Sequence, residues 1–145
     1  MTNNNKHTGP NVPALRFPKF SGEWEEHGLS EYLQFKNGLN PDVKRFGKGV
    51  KFISVMDILN NAFISYDSIR ASVDATEKEI SEFNVEYGDV LFQRSSETLE
   101  DIGHSNIYVD SRNSVFGGFV IRGKRIGEYD PYFMKYRLDY PIARK

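Results

Sequence analysis

Cysteine is absent from this 145-residue chain, which excludes a disulfide scaffold, thiolate zinc or iron–sulfur ligation, and thiol catalysis. Long apolar runs are missing too. No uninterrupted stretch approaches the roughly 20 residues of a membrane-crossing helix, and the opening Met1-Thr2-Asn3-Asn4-Asn5-Lys6-His7 has no apolar segment of the kind a secretory signal needs. The expectation is a soluble, cytoplasmic protein without membrane contact. Histidine is sparse: His7, His27 and His104 lie far apart, none with a second His at helical or strand spacing, so no metal site is expected. What the chain has in quantity is aromatic surface. Its 11 Phe, 8 Tyr and 1 Trp can close one modest core although the apolar share is only 39%, and this excludes disorder of the whole chain. The length suits one domain on the usual prior of about 100 to 200 residues. No internal repeat is visible. Residues 1–13, rich in Asn and ending in Asn11-Val12-Pro13, read as a flexible leader to a domain over 14–145.

Net charge is −1, from 19 Lys and Arg against 20 Asp and Glu, but the signs are segregated along the chain. Lys36, Lys44, Arg45, Lys48 and Lys51 face one anion, Asp42. Between Asp74 and Asp101 nine carboxylates oppose only Lys78 and Arg94, and from Arg112 onward eight cations oppose Glu128, Asp130 and Asp139. If the two basic segments fold together, they form a basic face, the electrostatic footprint of nucleic-acid binding. Two ordinary solvated surfaces would leave the same pattern.

Local patterns predict a single mixed α+β domain with a twisted, mostly antiparallel sheet and short helices. Leu15-Arg16-Phe17-Pro18-Lys19-Phe20-Ser21-Gly22 reads as extended chain able to pack Leu15, Phe17 and Phe20 onto a core. The stretch from Trp24 to Phe35 reads as a short helix, followed by turns at Asn37-Gly38 and Asn40-Pro41. Val50 to Asp57 alternates like a strand covered on both faces. Thr76-Glu77-Lys78-Glu79 has the form of a capping box and predicts a helix through about Phe83. A turn at Gly88-Asp89 launches the buried-strand run Val90-Leu91-Phe92, and Asn106 to Asp110 and Val115 to Arg122 are further strands. Asp130-Pro131 starts a helix, with Asp at the N-cap and Pro in the first turn, in which Tyr132, Phe133, Tyr136 and Tyr140 recur near helical spacing until Pro141.

Most candidate chemistry fails on its own terms. Gly118-Phe119-Val120-Ile121-Arg122-Gly123-Lys124 fits the first part of a phosphate-binding loop, but Arg125 stands where a hydroxyl should reach magnesium, and Phe-Val-Ile reads as strand where the motif needs a loop. Asp130-Pro131-Tyr132 is similar to the Asp-Pro-Pro-Tyr loop of amino-methyltransferases, yet the second proline is missing and no Gly-x-Gly follows a strand to hold S-adenosylmethionine. Pro41-Asp42 lacks the Asp/Glu-x-Lys that would complete a nuclease site. Carboxylate pairs such as Glu77/Glu79 and Glu100/Asp101 sit in polar, wet segments where nothing raises one pKa for acid catalysis. No catalytic residue, metal or cofactor is therefore expected. What remains are polar loops, Lys36-Asn37-Gly38-Leu39-Asn40 and Gln93-Arg94-Ser95-Ser96, each following an apolar segment that can hold it rigid. Arg and Lys pair with guanine and Asn and Gln with adenine in the major groove, while Ser, Lys and Arg grip phosphates. Plain polar loops would have the same composition.

In order along the chain, Val12-Pro13-Ala14-Leu15-Arg16-Phe17-Pro18-Lys19-Phe20-Ser21-Gly22-Glu23-Trp24-Glu25-Glu26, Lys36-Asn37-Gly38, Val55-Met56-Asp57-Ile58, Gly88-Asp89-Val90-Leu91-Phe92-Gln93-Arg94-Ser95-Ser96, Gly118-Phe119-Val120-Ile121-Arg122 and Asp130-Pro131-Tyr132-Phe133 resemble the target recognition domain of type I restriction–modification specificity subunits. The resemblance covers residues 12 to 140 and implies recognition of double-stranded DNA without cutting or methylating it. It further implies that two such domains, held apart by long antiparallel helices, each read one half of a split target. Such a subunit docks methyltransferase subunits and, through them, restriction subunits. The chain ends at Arg144-Lys145 with no second recognition domain and no heptad-rich spacer, so it resembles a single recognition domain, truncated or excised.

On this reading Lys44, Arg45, Lys48, Lys124 and Arg125 neutralise phosphates. Lys36, Asn37, Asn40, Gln93, Arg94, Ser95 and Ser96 lie on the reading loops, and Arg112 joins the DNA-facing set. Gly88 and Asp89 form the turn that positions the following strand, and Phe92 belongs to the core. Two other readings stay open: a protein-interaction module that docks a methyltransferase subunit without touching bases, and a nucleotide-binding regulator built on the Gly118 to Lys124 pattern. The pure chain is expected to transfer no methyl group to duplex DNA and to leave it uncut. Reproducible methyl transfer in a radiolabel assay would contradict the reading of Asp130-Pro131-Tyr132 as a helix cap.

Overall fold

The structure, a computed structural model, describes residues 12–95 and 103–140. Most of the Asn-rich leader, Ser96, the carboxylates Glu97, Glu100 and Asp101, and Arg144-Lys145 lie outside the described residues. The elements in chain order are β1 (Leu33–Asn37), β2 (Phe46–Ile53), α1 (Val55–Asn60), β3 (Ala71–Val73), α2 (Glu77–Glu82), β4 (Val90–Gln93), β5 (Ser105–Ile107), β6 (Val115–Phe116), β7 (Val120–Arg125) and α3 (Pro131–Asp139). They build an α+β fold with two sheets where the sequence suggested one. A four-stranded sheet runs β1-β7-β4-β5 with every neighbour antiparallel, and a three-stranded sheet runs β3-β2-β6 with β2 and β6 parallel. Among the described residues no helix is long and apolar enough to cross a membrane.

Local chemistry explains several boundaries. Thr76 Oγ1 accepts from the Glu79 amide while Glu79 Oε1 accepts from the Thr76 amide, so the predicted capping box starts α2. Asp130 accepts from the Phe133 amide with Pro131 in the first turn of α3. Two expectations are corrected. Tyr32 closes a single 3-10 turn at Leu29–Glu31, and the apolar residues that suggested a helix, Leu33 and Phe35, lie in β1. The strand read over Val50 to Asp57 ends at Ile53, because Asp57 accepts from the Ser54 amide and reciprocally caps α1.

One core cluster, including Ile53, Leu91, Phe116 and Val120, joins the two sheets; a second holds Leu33, Val90 and Ile107 under Met134 and Leu138 of α3. Each such side chain contributes about 1.5–3 kcal/mol when fully buried. Phe133, Tyr136 and Tyr140 point outward, so the stripe that seats α3 is Pro131, Met134 and Leu138 and not its aromatic series. Leu15, Phe17 and Phe20 likewise stay off the core, at 93%, 74% and 57% exposure. Their segment closes on itself instead, with Arg16 donating to the Gly22 carbonyl and the Phe20 amide to the Phe17 carbonyl.

Buried polar groups tie the layers together. Asn106 Nδ2 donates to the carbonyls of Ile58 and Asn61 at 3.1 and 2.8 Å, closing the C-terminal end of α1 onto β5. Arg122, 8% exposed, lies over the Phe116 ring and donates to the Asn84 carbonyl. Asp89, 1% exposed, accepts from the amides of Glu86 and Arg125, each at 2.9 Å, and from Lys124 Nζ at 3.0 Å. The turn at Gly88-Asp89 therefore positions β4, as its sequence suggests. Replacing Asp89 by Ala would leave two amides without this acceptor and Lys124 with Glu86 alone. The expected loss is about 1–3 kcal/mol of unfolding free energy, measured as a lower urea midpoint.

Candidate nucleic-acid interface

Strand polarity decides which loops meet. β1 and β4 both run antiparallel to β7, which lies between them, so their C-terminal ends fall beside the start of β7. The register places Asn37 opposite Ile121 and Gln93 opposite Val120. Segments distant in sequence thus converge: Asn37 to Asn40 after β1, Arg94-Ser95 after β4, and the turn Gly117-Gly118-Phe119 before β7.

The convergence is built from backbone contacts. The Leu39 amide donates to the Phe116 carbonyl at 2.9 Å, and Leu39 bridges Gly117. Gly38 permits this approach, since a Cβ there would lie 2.0 Å from the Gly117 oxygen. From the other side the Arg94 amide donates to the Phe119 carbonyl at 2.9 Å and Arg94 Nη1 to the Gly118 carbonyl at 3.1 Å. Asn37, Asn40, Arg94 and Ser95 are exposed around this knot. A pocket of about 380 Å³ opens beside it, lined in part by Asn40, Phe46, Met56 and Phe119. Gln93 is placed differently: it is 7% exposed, and its Nε2 donates to the Ser95 carbonyl at 3.0 Å. It braces the loop from beneath. Ser96 lies outside the described residues.

The cations do not gather into the basic face that their sequence order suggested. The acidic segment around α2 folds onto the first basic segment. Lys36 donates to Glu82 at 2.9 Å and lies over the Phe83 ring, Arg45 donates to Glu79 at 2.5 Å and to the Asp74 carbonyl at 2.8 Å, and Lys48 faces Asp74 at 3.8 Å. Lys44, on the 3-10 turn Val43–Arg45, is exposed and makes no ion pair among the described residues. Arg112 stands elsewhere, on the Tyr66 ring and forked onto Asp67 and Asp110. Lys124 pairs with Asp89 and Glu86, while Arg125 donates to the Tyr129 carbonyl at 2.6 Å and lies over its ring. Both stand at the far end of β7, which a strand of that length sets about 17 Å or more from the Gly118 turn.

These pairings shift the carboxylates. The Arg45 hydrogen bond, helped by the Thr76 amide, holds Glu79 down to about 2. Arg112 depresses Asp110 and Asp67, and Lys36 depresses Glu82.

Phe119 was not apparent as a functional residue from sequence, although it is 71% exposed at the centre of the loop cluster. The signal for it was the Gly117-Gly118 dipeptide, a turn mark inside what otherwise reads as one strand from Val115 to Arg122. The structure splits that stretch into β6 and β7, in different sheets. Val120 to Arg125 being strand, the Gly118 to Lys124 pattern forms no phosphate-binding loop.

No family model and no curated protein matches the sequence. Solved structures match the fold. One, from a structural study of complex assembly and conformational transition of the type I R-M system, superposes with a TM-score of 0.57 at 18% identity over 81% of this chain and 28% of that one. Another, the HsdS subunit from Thermoanaerobacter tengcongensis, gives a TM-score of 0.55 at 16% identity over 77% of this chain and 26% of that one. The chain thus spans little more than a quarter of the length of either protein, and what they share with it is the α+β fold.

Glu79 supplies a pH test of the Arg45 clamp. Its folded pKa lies below its ordinary 4.5, so its contribution is complete above about pH 4.5 and lost as pH falls toward about 2. The urea midpoint of Glu79→Gln should therefore lie below that of the wild type at pH 6 to 7, with the gap closing across that window.

Proposed function

We propose that this chain reads one half of a split duplex DNA target as the recognition module of a type I restriction–modification specificity subunit. The observation that carries the reading is the convergence of Asn37, Asn40, Arg94 and Ser95 on one rigid knot at the end of the four-stranded sheet. The fold likeness supports it, as does the family resemblance of the segments that form the knot. Base edges are read by the amides of Asn37 and Asn40 and by the guanidinium nitrogens of Arg94 other than the one held by the Gly118 carbonyl, with Ser95 in the polar rim, and phosphates are gripped by Lys44. Lys36, Arg45, Lys48, Arg112, Lys124 and Arg125 already face carboxylates or carbonyls, so they act as secondary phosphate contacts or as braces of the frame. The module performs no chemistry; methylation and cleavage belong to the methyltransferase and restriction subunits that it directs.

A second reading, a module that docks a methyltransferase subunit without reading bases, is favoured by the outward-facing Phe133 and Tyr136 on α3 and Tyr140 just after it. Salt separates the two, because counterion release makes DNA affinity fall steeply as salt rises, whereas an apolar protein contact changes little.

As a half-site module the single chain should bind duplex DNA weakly, and linking two copies through a spacer should tighten binding by orders of magnitude through effective concentration. In fluorescence anisotropy on that linked form, Lys44→Ala should weaken all sequences alike and reduce the salt slope by about one unit. Asn37→Ala or Asn40→Ala should cost about 1–3 kcal/mol on a selected site and little on random duplex. Failure of a random-duplex selection to enrich any sequence, together with salt-insensitive binding, would overturn the reading.

A further inference from the structure

Phe119 combines two properties that rarely coincide on a loop: wide exposure and a fully anchored backbone. At 71% exposure its ring is held by no core cluster. The turn that carries it is nonetheless tied on every side. The Val120 amide donates to the Gly117 carbonyl and the Gly117 amide to the Ile53 carbonyl, both at 3.0 Å. Leu39 holds the Phe116 carbonyl, and Arg94 takes the carbonyls of both Gly118 and Phe119. Gly118 lets Asn40 lie directly against the turn, since a Cβ there would stand 1.9 Å from Asn40 Oδ1. The turn is therefore held from the ends of β1, β2 and β4 together, with Asn40 and Arg94 against its backbone, and the ring it carries is left to solvent.

An apolar ring kept in water on a rigid turn gains free energy when something flat and apolar covers it, and little ordering entropy opposes that step. Among the described residues the other aromatics more than half exposed lie on the N-terminal segment and on or just after α3, while Phe46, 39% exposed, shares the pocket beside the knot. Phe119 is the most exposed aromatic at the knot, on the turn that Asn40 and Arg94 contact. A base step offers the flat apolar surface. Side chains of this kind enter between bases, partly unstack them and kink the duplex, while the flanking polar groups read the edges that the opening uncovers.

We propose that Phe119 is a wedge residue that stacks on a base of the bound duplex, giving the interface an affinity component independent of phosphate charge. This rests on the DNA-reading function proposed above. The test uses two copies of the full chain linked through a spacer, with two variants of position 119 whose folding is checked by urea midpoint; because the turn is anchored through backbone groups, both should unfold near the wild-type value. Phe119→Ala should weaken duplex binding by about 5- to 150-fold at fixed salt, the range of one base–aromatic stack, with the salt slope unchanged. Phe119→Trp, made in a Trp24→Phe background, should retain binding, and duplex DNA should quench the introduced indole and shield it from acrylamide. Unaltered affinity of Phe119→Ala, or an indole that stays open to acrylamide in the complex, would overturn the wedge while leaving DNA reading in place. Absence of any duplex binding by the linked wild type would overturn both.

Discussion

The buried carboxylate of Asp89 fixes where β4 begins and where β7 ends, and the loop cluster at the other end of the sheet follows from that. Its two oxygens take the Glu86 amide, the Arg125 amide and the Lys124 ammonium. Arg125 ends β7, and β7 is paired on both sides, so holding Arg125 sets the register of β7 against β4 and β1 together. At the other end of the strand the same register brings Val120 opposite Gln93. A slip of one residue would turn Arg122 and Val120 toward α3 and carry the Gly118 turn away from Arg94. The loops meet because an acid at the opposite end of the sheet leaves them one alignment.

Charge has an architectural use in this chain before any recognition use. Lys36 and Arg45 join β1 and the entry to β2 to α2 through Glu82 and Glu79. Arg112 fastens the residues after β5 to the 3-10 turn Tyr66–Ser68 through Asp67. Exposed ion pairs of this kind add little stability one at a time, but they neutralise one another, so the field outside the protein is weaker than the cation count suggests. The exposed loop cluster therefore presents placed polar side chains more than bulk positive charge. The net charge of −1 agrees with that.

Elements with a local chemical mark were legible in the sequence. The capping box at Thr76, the Asp130-Pro131 helix start and the Gly88-Asp89 turn are decided by neighbours three or four residues away, and each lies where its residues indicate. Long-range decisions were not legible. Leu33 and Phe35 suit a helix or a strand equally, and pairing with β7 decided for the strand. Gln93 carries a base-reading side chain, yet the alternation of β4 turns it inward opposite Val120. The charge blocks were read correctly as blocks. Their mutual neutralisation depends on α2 packing beside β1 and β2, which no window of sequence contains. Of the loop cluster, Asn37, Asn40, Arg94 and Ser95 stood out by residue type alone, whereas Phe119 needed the split between β6 and β7.

The Gly117-Gly118-Phe119 turn is fastened almost wholly through peptide groups, by Ile53, Leu39 and Arg94. Peptide groups are the same whatever side chain they carry. Position 119 is therefore uncoupled from the integrity of the frame, and an exchange there alters what the molecule touches without altering how it folds. The same holds for Asn37 and for Ser95, whose carbonyl and not its hydroxyl receives Gln93. A surface arranged in this manner can drift rapidly in evolution, acquiring new preferences by single exchanges while selection on foldability registers almost none of them.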